Sequence, residues 1–201
     1  EILSMVSLPD FDPNFPKTIK AFTENNLVTE ARYEMGSTLK MFNAALAFEL
    51  KSSIIEKKFD ISKGYQLTNK NTINDSHINL EKINFDQAFV HSSNIASIKI
   101  IEEIGIEKQK KLFKNIGLID NPRVNGLNVV SNKGPRIWND TYSKSMSYGY
   151  GISLSPISLV SSFSTLVNGG LSVTPIITKQ NLNNSNKRVL SKPDKTKKKF
   201  L

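Results

Sequence analysis

The sequence predicts a mixed α/β fold (α+β) in which helices dominate and strands are few and short. Three observations carry this. Apolar residues recur at helical spacing in three separate segments, 37–51, 94–104 and 156–168. Apolar runs of strand length stand only at residues 1–8 and 171–178. The stretches between them are rich in Lys, Asn, Pro and Gly, which punctuate a fold rather than extend its elements.

Taken in order, residues 1–8 (EILSMVSL) form a short apolar strand that Pro9-Asp10 stops. Residues 9–33, with prolines at 9, 13 and 16, read as an irregular loop. Residues 37–51 place Leu39, Phe42, Leu46 and Leu50 at helical spacing, with Ala44, Ala45 and Ala47 between them. That helix is apolar nearly all round, so it is expected to be buried, with Ser37 at its N-terminus. Residues 52–84 read as surface loops and 85–90 as a short helix. Ile95, Ile98, Ile101 and Ile104 share one face of a helix over 94–104 that Gly105 ends. A further helix over 107–116 closes at Gly117, and residues 118–146 read as irregular around Pro122, Gly126, Gly134 and Pro135. Ser155 caps a helix over 156–168 with Pro156 at its first position; its apolar face is Ile157, Val160, Phe163, Leu166 and Val167. The polar segment from 181 to 201 reads as a basic tail, so the domain proper is placed at 1–180.

The chain has 201 residues, enough for one domain with a real core. It opens without Met or a basic leader and contains no run of about 18 uncharged apolar residues. The expectation is a piece of a longer protein. It contains no cysteine, which excludes disulfides, thiol catalysis and Cys-ligated metal. With only His77 and His91, a multi-histidine metal centre or a Ser-His-Asp triad is hard to build, though His91 could fill one such role. The formal charge is +9, and residues 191–201 hold five Lys against one Asp. No aromatic residues interleave with these lysines, so a solvated tail is favoured over a nucleic-acid surface.

The chemistry-bearing string is Ser37-Thr38-Leu39-Lys40. A serine hydroxyl needs a base, and a lysine three residues on lies one helical turn away on the same face. Burial would lower the lysine pKa and let it take the serine proton. N–H groups at the helix start would favour a developing oxyanion. The plainer reading is a helix cap followed by an exposed lysine; a helix this apolar leaves Lys40 little exposed surface. A second string, Ser92-Ser93-Asn94, follows 55 residues after Ser37 and precedes a helix. It can aim a hydroxyl and a carboxamide into one cleft, or simply cap the helix.

Tyr33-Glu34-Met35-Gly36-Ser37-Thr38-Leu39-Lys40, Ser92-Ser93-Asn94, Ser147-Tyr148-Gly149-Tyr150-Gly151, Ser155-Pro156 and Asn168-Gly169-Gly170 together resemble the transpeptidase domain of penicillin-binding proteins. The likeness is to the class B, monofunctional kind of septal or elongation cell-wall synthesis. Glu1–Ser7 and Phe11-Asp12-Pro13-Asn14 resemble the strand and loop ahead of that family's active serine. The resemblance implies Ser37 as nucleophile, Lys40 as general base and Ser92 as proton shuttle. Asn94 would hold the substrate amide, with Ser93, Tyr150 and Gly151 at the same substrate site. It implies acyl transfer from D-Ala-D-Ala stem peptides of peptidoglycan, acylation by β-lactams, and no cofactor. It also implies a domain outside the inner membrane of an anchored parent that works with a membrane glycosyltransferase and division or elongation proteins, and no nucleic-acid partner.

Two departures stand out. No Lys-Thr-Gly or Lys-Ser-Gly occurs; Lys144-Ser145-Met146 and Lys195-Thr196-Lys197 are the nearest strings. In the family that motif lies on a central strand, so the expectation is the helical part of the fold with an incomplete antiparallel sheet, and a weak or inactive catalyst. Met35 stands where the family usually has proline, a change expected to be tolerated. Three alternatives remain open. A serine β-lactamase shares the motifs, but no Glu-x-x-x-Asn loop of the class A kind is found. A β-lactam sensor or degenerate binding module would acylate without turnover. A basic nucleic-acid-binding protein would show steeply salt-dependent binding.

Overall fold

In the computed structural model, which describes residues 1–20, 23–50, 52–120 and 122–178, the helix predicted over 94–104 forms as read. It spans Asn94–Ile104, with Ser93 as N-cap and Gly105 as C-cap at φ +90°. Described residues fall into two compact units. One holds residues 34–112 and 134–153; the other holds 1–33, 113–133 and the described residues from 154 onward.

The first of these units is built around three helices. A 3-10 turn at Gly36–Leu39 runs into α1 (Lys40–Leu50), so regular helix begins three residues later than the sequence suggests. Ser37 lies inside the 3-10 turn, with Met35 as its N-cap. After α2 (Ser52–Ile55) and α3 (Phe85–Val90), the Ile-rich α4 (Asn94–Ile104) packs against both α1 and α6 (Asp140–Ser147). Leu39, Phe42, Leu46, Ile95, Ile98, Ile101 and Met146 fill that core. Each such side chain contributes on the order of 1.5–3 kcal/mol when fully buried. A polar tie runs through it. Gln109, on α5 (Ile106–Asn115), is fully buried and donates to Asn43 Oδ1 at 3.0 Å and to the Ser143 carbonyl at 3.1 Å. It also accepts from Ser143 Oγ at 2.6 Å, so its amide is satisfied on both sides.

Residues 52–84 were expected to be loops, and this is corrected. After β1 (Tyr33–Glu34), the strands β2 (Lys58–Asp60), β3 (Tyr65–Thr68), β4 (Asn71–Ile73) and β5 (Lys82–Asn84) form two antiparallel pairs, β2 with β5 and β3 with β4. Phe59 lies opposite Ile83, both buried, while the flanking residues of each strand face water. One apolar residue per three-residue strand is too little to register as a period-two pattern. Helix α6 falls in a stretch read as irregular; Asn139 caps it by accepting from Tyr142 N–H at 2.9 Å. A two-residue strand, β6 (Ser153–Leu154), also escaped the sequence.

In the other unit the run 1–8 forms no strand. Ile2 N–H donates to the Ile176 carbonyl at 2.9 Å, but no ladder follows, and Leu3, Val6 and Leu8 are exposed. A strand needs a neighbour along its length to satisfy its backbone. Residues 171–178 likewise form no strand: Leu171 and Ile176 each lie in an isolated bridge, Ile176 with Asn125. Helix α7 (Pro156–Val167) forms with Ser155 as N-cap, but its buried side is not the apolar one. Ile157 is buried, whereas Val160 and Val167 are 58% and 64% exposed. Ser158, Ser162 and Thr165 face inward instead; small side chains let the backbone approach closely, and Thr165 Oγ1 returns its hydrogen bond to the Ser161 carbonyl. The expected tail at 181–201 lies outside the described residues. No helix among them is long and apolar enough to cross a membrane.

Candidate active site

The start of α1 presents the serine and hides the lysine. Ser37 is exposed, and its hydroxyl makes no hydrogen bond among the described residues. One 3-10 turn on, the Lys40 N–H donates to the Ser37 carbonyl, which places the lysine on the inner side of the helix. Lys40 is only 5% exposed. Burial pulls its pKa down from 10.5 to about 8, with the carboxylate of Asp75 pulling weakly the other way. Roughly one-tenth of such a group is neutral at pH 7.

The Lys40 ammonium meets three oxygens. Nζ donates to Ser92 Oγ at 2.9 Å, to Asn94 Oδ1 at 2.7 Å and to the Ser92 carbonyl. Three N–H donors thus meet three acceptors. Ser92 has a positive φ of 54°, rare for a residue with a side chain, and this turn brings both of its oxygens to the lysine. When Lys40 is neutral it carries a lone pair, and of its three contacts only the Ser92 hydroxyl has a proton to give it. Asn94 spends its oxygen on Lys40, which leaves its NH₂ group to donate elsewhere.

A third strand of chain closes on the serine turn. Gly36 N–H donates to the Gly149 carbonyl at 3.2 Å. Gly149 has φ +113°, and a Cβ there would stand 1.9 Å from the Gly36 carbonyl oxygen, so no side chain fits. Gly151 N–H donates to Glu34 Oε1 at 2.8 Å, which ties this loop to the residues ahead of Ser37. Tyr150 stands half-exposed beside the buried Tyr148, their ring centres 5.6 Å apart.

The structure therefore joins Lys40, Ser92 and Asn94 by direct hydrogen bonds, and holds Ser37 one turn from Lys40. Ser93 requires a correction. It is wholly buried, accepts from Ala96 N–H at 2.9 Å as the cap of α4, and donates to Asp75, so it is not available to a substrate. Met35 has φ −79°, close to the angle proline imposes, so the departure from proline leaves the turn intact. Three features escaped the sequence: Asp75, Glu34, and the contact of Gly36 with Gly149. The glycines of Tyr148–Gly151 were a visible signal for the last. Nothing local marks Asp75 or Glu34, because their partners are distant in sequence.

Residues 1–199 match the family of penicillin binding protein transpeptidase domains. A probable peptidoglycan D,D-transpeptidase FtsI of Caulobacter vibrioides is 32% identical over 170 residues, 85% of this chain and 29% of that protein. Peptidoglycan D,D-transpeptidase FtsI of Buchnera aphidicola is 31% identical over 204 residues, 96% of this chain and 34% of that protein. The chain spans about a third of the length of these curated relatives. Among solved structures, the penicillin G acyl-enzyme complex of penicillin-binding protein A from M. tuberculosis superposes with a TM-score of 0.75 at 21% identity, covering 86% of this chain and 44% of that one. The transpeptidase domain of penicillin-binding protein 3 from Burkholderia pseudomallei gives 0.72 at 25% identity, covering 84% and 52%.

Proposed function

Since the chain belongs to the penicillin-binding protein transpeptidase family, we propose that it carries the serine acyl-transfer centre of a peptidoglycan D,D-transpeptidase. The observation that supports this best is the buried Lys40, at a pKa of about 8, bonded to Ser92 Oγ and Asn94 Oδ1. Lys40 in its neutral form takes the Ser37 proton as Ser37 Oγ attacks the D-Ala-D-Ala carbonyl. With the Gly36 N–H spent on the Gly149 carbonyl, the Ser37 N–H at the start of the 3-10 turn is the one left to face the developing oxyanion. The C–N bond breaks, the terminal D-Ala amine leaves with a proton passed from Lys40 through the Ser92 hydroxyl, and an acyl-enzyme ester remains on Ser37. The amine of a second stem peptide attacks that ester; the new amide forms as the ester C–O bond breaks, and the amine proton passes through Ser92 and Lys40 to the released Ser37 Oγ. The Asn94 NH₂ group holds a substrate carbonyl, with Tyr150 and the loop at Gly151 bordering the same site. β-Lactams acylate Ser37 in place of the peptide. The parent protein is membrane-anchored, this domain lies on the outer side of the inner membrane, and its partners are a membrane glycosyltransferase and division or elongation proteins.

The test is intact mass after exposure to a penicillin. One adduct per chain, lost in Ser37→Ala and in Lys40→Met, supports the reading. An adduct that survives in Ser37→Ala, or none at all, refutes it for this chain.

A further inference from the structure

Asp75 is a carboxylate buried to 6% exposure, and its bonded partners are all donors at the start of α4. Its Oδ1 accepts from Asn94 N–H at 2.8 Å; its Oδ2 accepts from Ile95 N–H at 3.1 Å and from Ser93 Oγ. Negative charge suits a helix N-terminus. Yet α4 already has its cap, because Ser93 Oγ accepts from Ala96 N–H. A second, charged cap is more than the helix needs. Burying a carboxylate with no ion pair is costly unless it is fully hydrogen-bonded.

The turn being held is the one that faces Lys40. Ser92 sits at φ +54° immediately before the three donors, and such backbone persists only when its surroundings over-determine it. The loop that carries Asp75 grips the same turn from its other side. Ile78 N–H donates to the Asp75 carbonyl at 2.9 Å, and His77 Nε2 lies 3.0 Å from the His91 carbonyl. Residues 91–95 are thus fixed at both ends by residues 75–78. Asp75 is also the charge that acts on Lys40. The small cavity that Lys40 lines together with residues such as Asn43, Phe85, Ser97 and Ile100 has no other charged residue in its wall.

We propose that Asp75 is a positioning residue of the acyl-transfer site: it locks the Ser92–Asn94 turn so that two Ser92 oxygens and Asn94 Oδ1 converge on Lys40, and it supplies the countercharge for the protonated lysine between proton transfers. This rests on the reading of Lys40 as the base. Its two parts are separable. Asp75→Asn removes the charge and turns one acceptor into a donor facing N–H groups. Asp75→Glu keeps the charge and displaces the oxygens by one methylene.

The experiment is an NMR titration of the Lys40 ε-methylene in the ¹³C-lysine-labelled chain, run beside the rate of acylation by a fluorescent penicillin. In folded Asp75→Asn, Lys40 titrates below its wild-type value and acylation slows roughly ten- to a hundredfold, the scale of a small misplacement of reacting groups. In Asp75→Glu the Lys40 titration stays near wild type while acylation still slows. A residue that only supports the fold would lower the melting temperature and leave the Lys40 titration where it was, which overturns the proposal. So does an unchanged acylation rate in Asp75→Asn, or loss of folding in both variants. If the wild-type chain takes up no penicillin, the transpeptidase reading fails by itself. The Lys40 titration and the Asn94 side-chain amide resonances in Asp75→Asn then decide the positioning role: a shift in both supports it, and constancy of either overturns it.

Discussion

Two lysines of the same unit, Lys40 and Lys144, sit in surroundings that drive them to opposite ends of lysine chemistry. Lys40 is buried among neutral oxygens, and its pKa falls to about 8. Lys144, on α6, is also largely covered, and burial opposes its charge too. But bonds to Asp140 at 2.5 Å, to Tyr65 and to Glu102 at 3.0 Å outweigh burial and push its pKa up. The lesson is that burial alone does not make a lysine a base. What matters is whether its partners are dipoles, which tolerate the neutral form, or carboxylates, which do not.

The contrast breaks most visibly in reactivity. Lys40→Met lowers the rate of penicillin acylation by about a hundredfold to ten-thousandfold, the range for a lost general base. Lys144→Met leaves that rate within about threefold, since its salt bridges contribute only to stability. Equal losses in the two variants, measured by stopped-flow or gel-based labelling, would erase the distinction.

The structural side is broken at the loop that follows α6. Gly149→Ala forces a Cβ against the Gly36 carbonyl at φ +113° and costs about 3 kcal/mol or more. Urea denaturation reads this directly. A loss below about 1 kcal/mol would mean that the two backbones do not meet as described.

Stability against pH sharpens the comparison, because the two signs are opposite. Lys40 has a folded value of about 8 and an unfolded value of 10.5, so the unfolded chain binds more protons between those pH values. Wild type therefore gains stability relative to Lys40→Met as pH rises from 8 to 10.5, by up to about 3 kcal/mol. Lys144 has a folded value above 10.5, so its contribution is fully present below 10.5 and fades as pH rises beyond it. With Asp140 and Glu102 partly in water, that contribution is about 1 kcal/mol or less. Melting curves of wild type and both variants at pH 7, 9, 10.5 and 11.5 test the two signs together, the first three points reading Lys40 and the last reading Lys144.

The smallest expected effect is at Asp140→Asn. An i,i+4 pair on a helix surface is worth about 0.3–0.5 kcal/mol and fades with salt. A difference that persists unchanged at 1 M NaCl would contradict an electrostatic origin.

What could be read from the sequence divides along physical lines. Helix α4 was legible because Ile95, Ile98, Ile101 and Ile104 repeat at the helical period and Gly105 stops them. The ends of α7 were legible through Ser155, Pro156 and Gly169, but the side it buries was not. Val160, Phe163 and Val167 face water while Ile157, Ser158, Ser162 and Thr165 face in, and that choice depends on neighbours distant in sequence. Strands β2 and β5 were missed because three residues carry one apolar side chain and no pattern. Ser93 was placed at the substrate because it lies inside the Ser-x-Asn string; only the fold shows that its hydroxyl is spent on Asp75 and Ala96.

The sequence by itself determined helices α1, α3, α4, α5 and α7, the order and spacing of Ser37, Lys40, Ser92 and Asn94, and through them the family. Those features are local, carried by side-chain periodicity and short strings. The tertiary structure alone decided that Lys40 loses its water, that Ser92 turns to a positive φ to reach it, and that Asp75 holds that turn. Each of these is a contact or a burial between residues 18 or more positions apart, and no local pattern in the chain encodes which distant groups will meet.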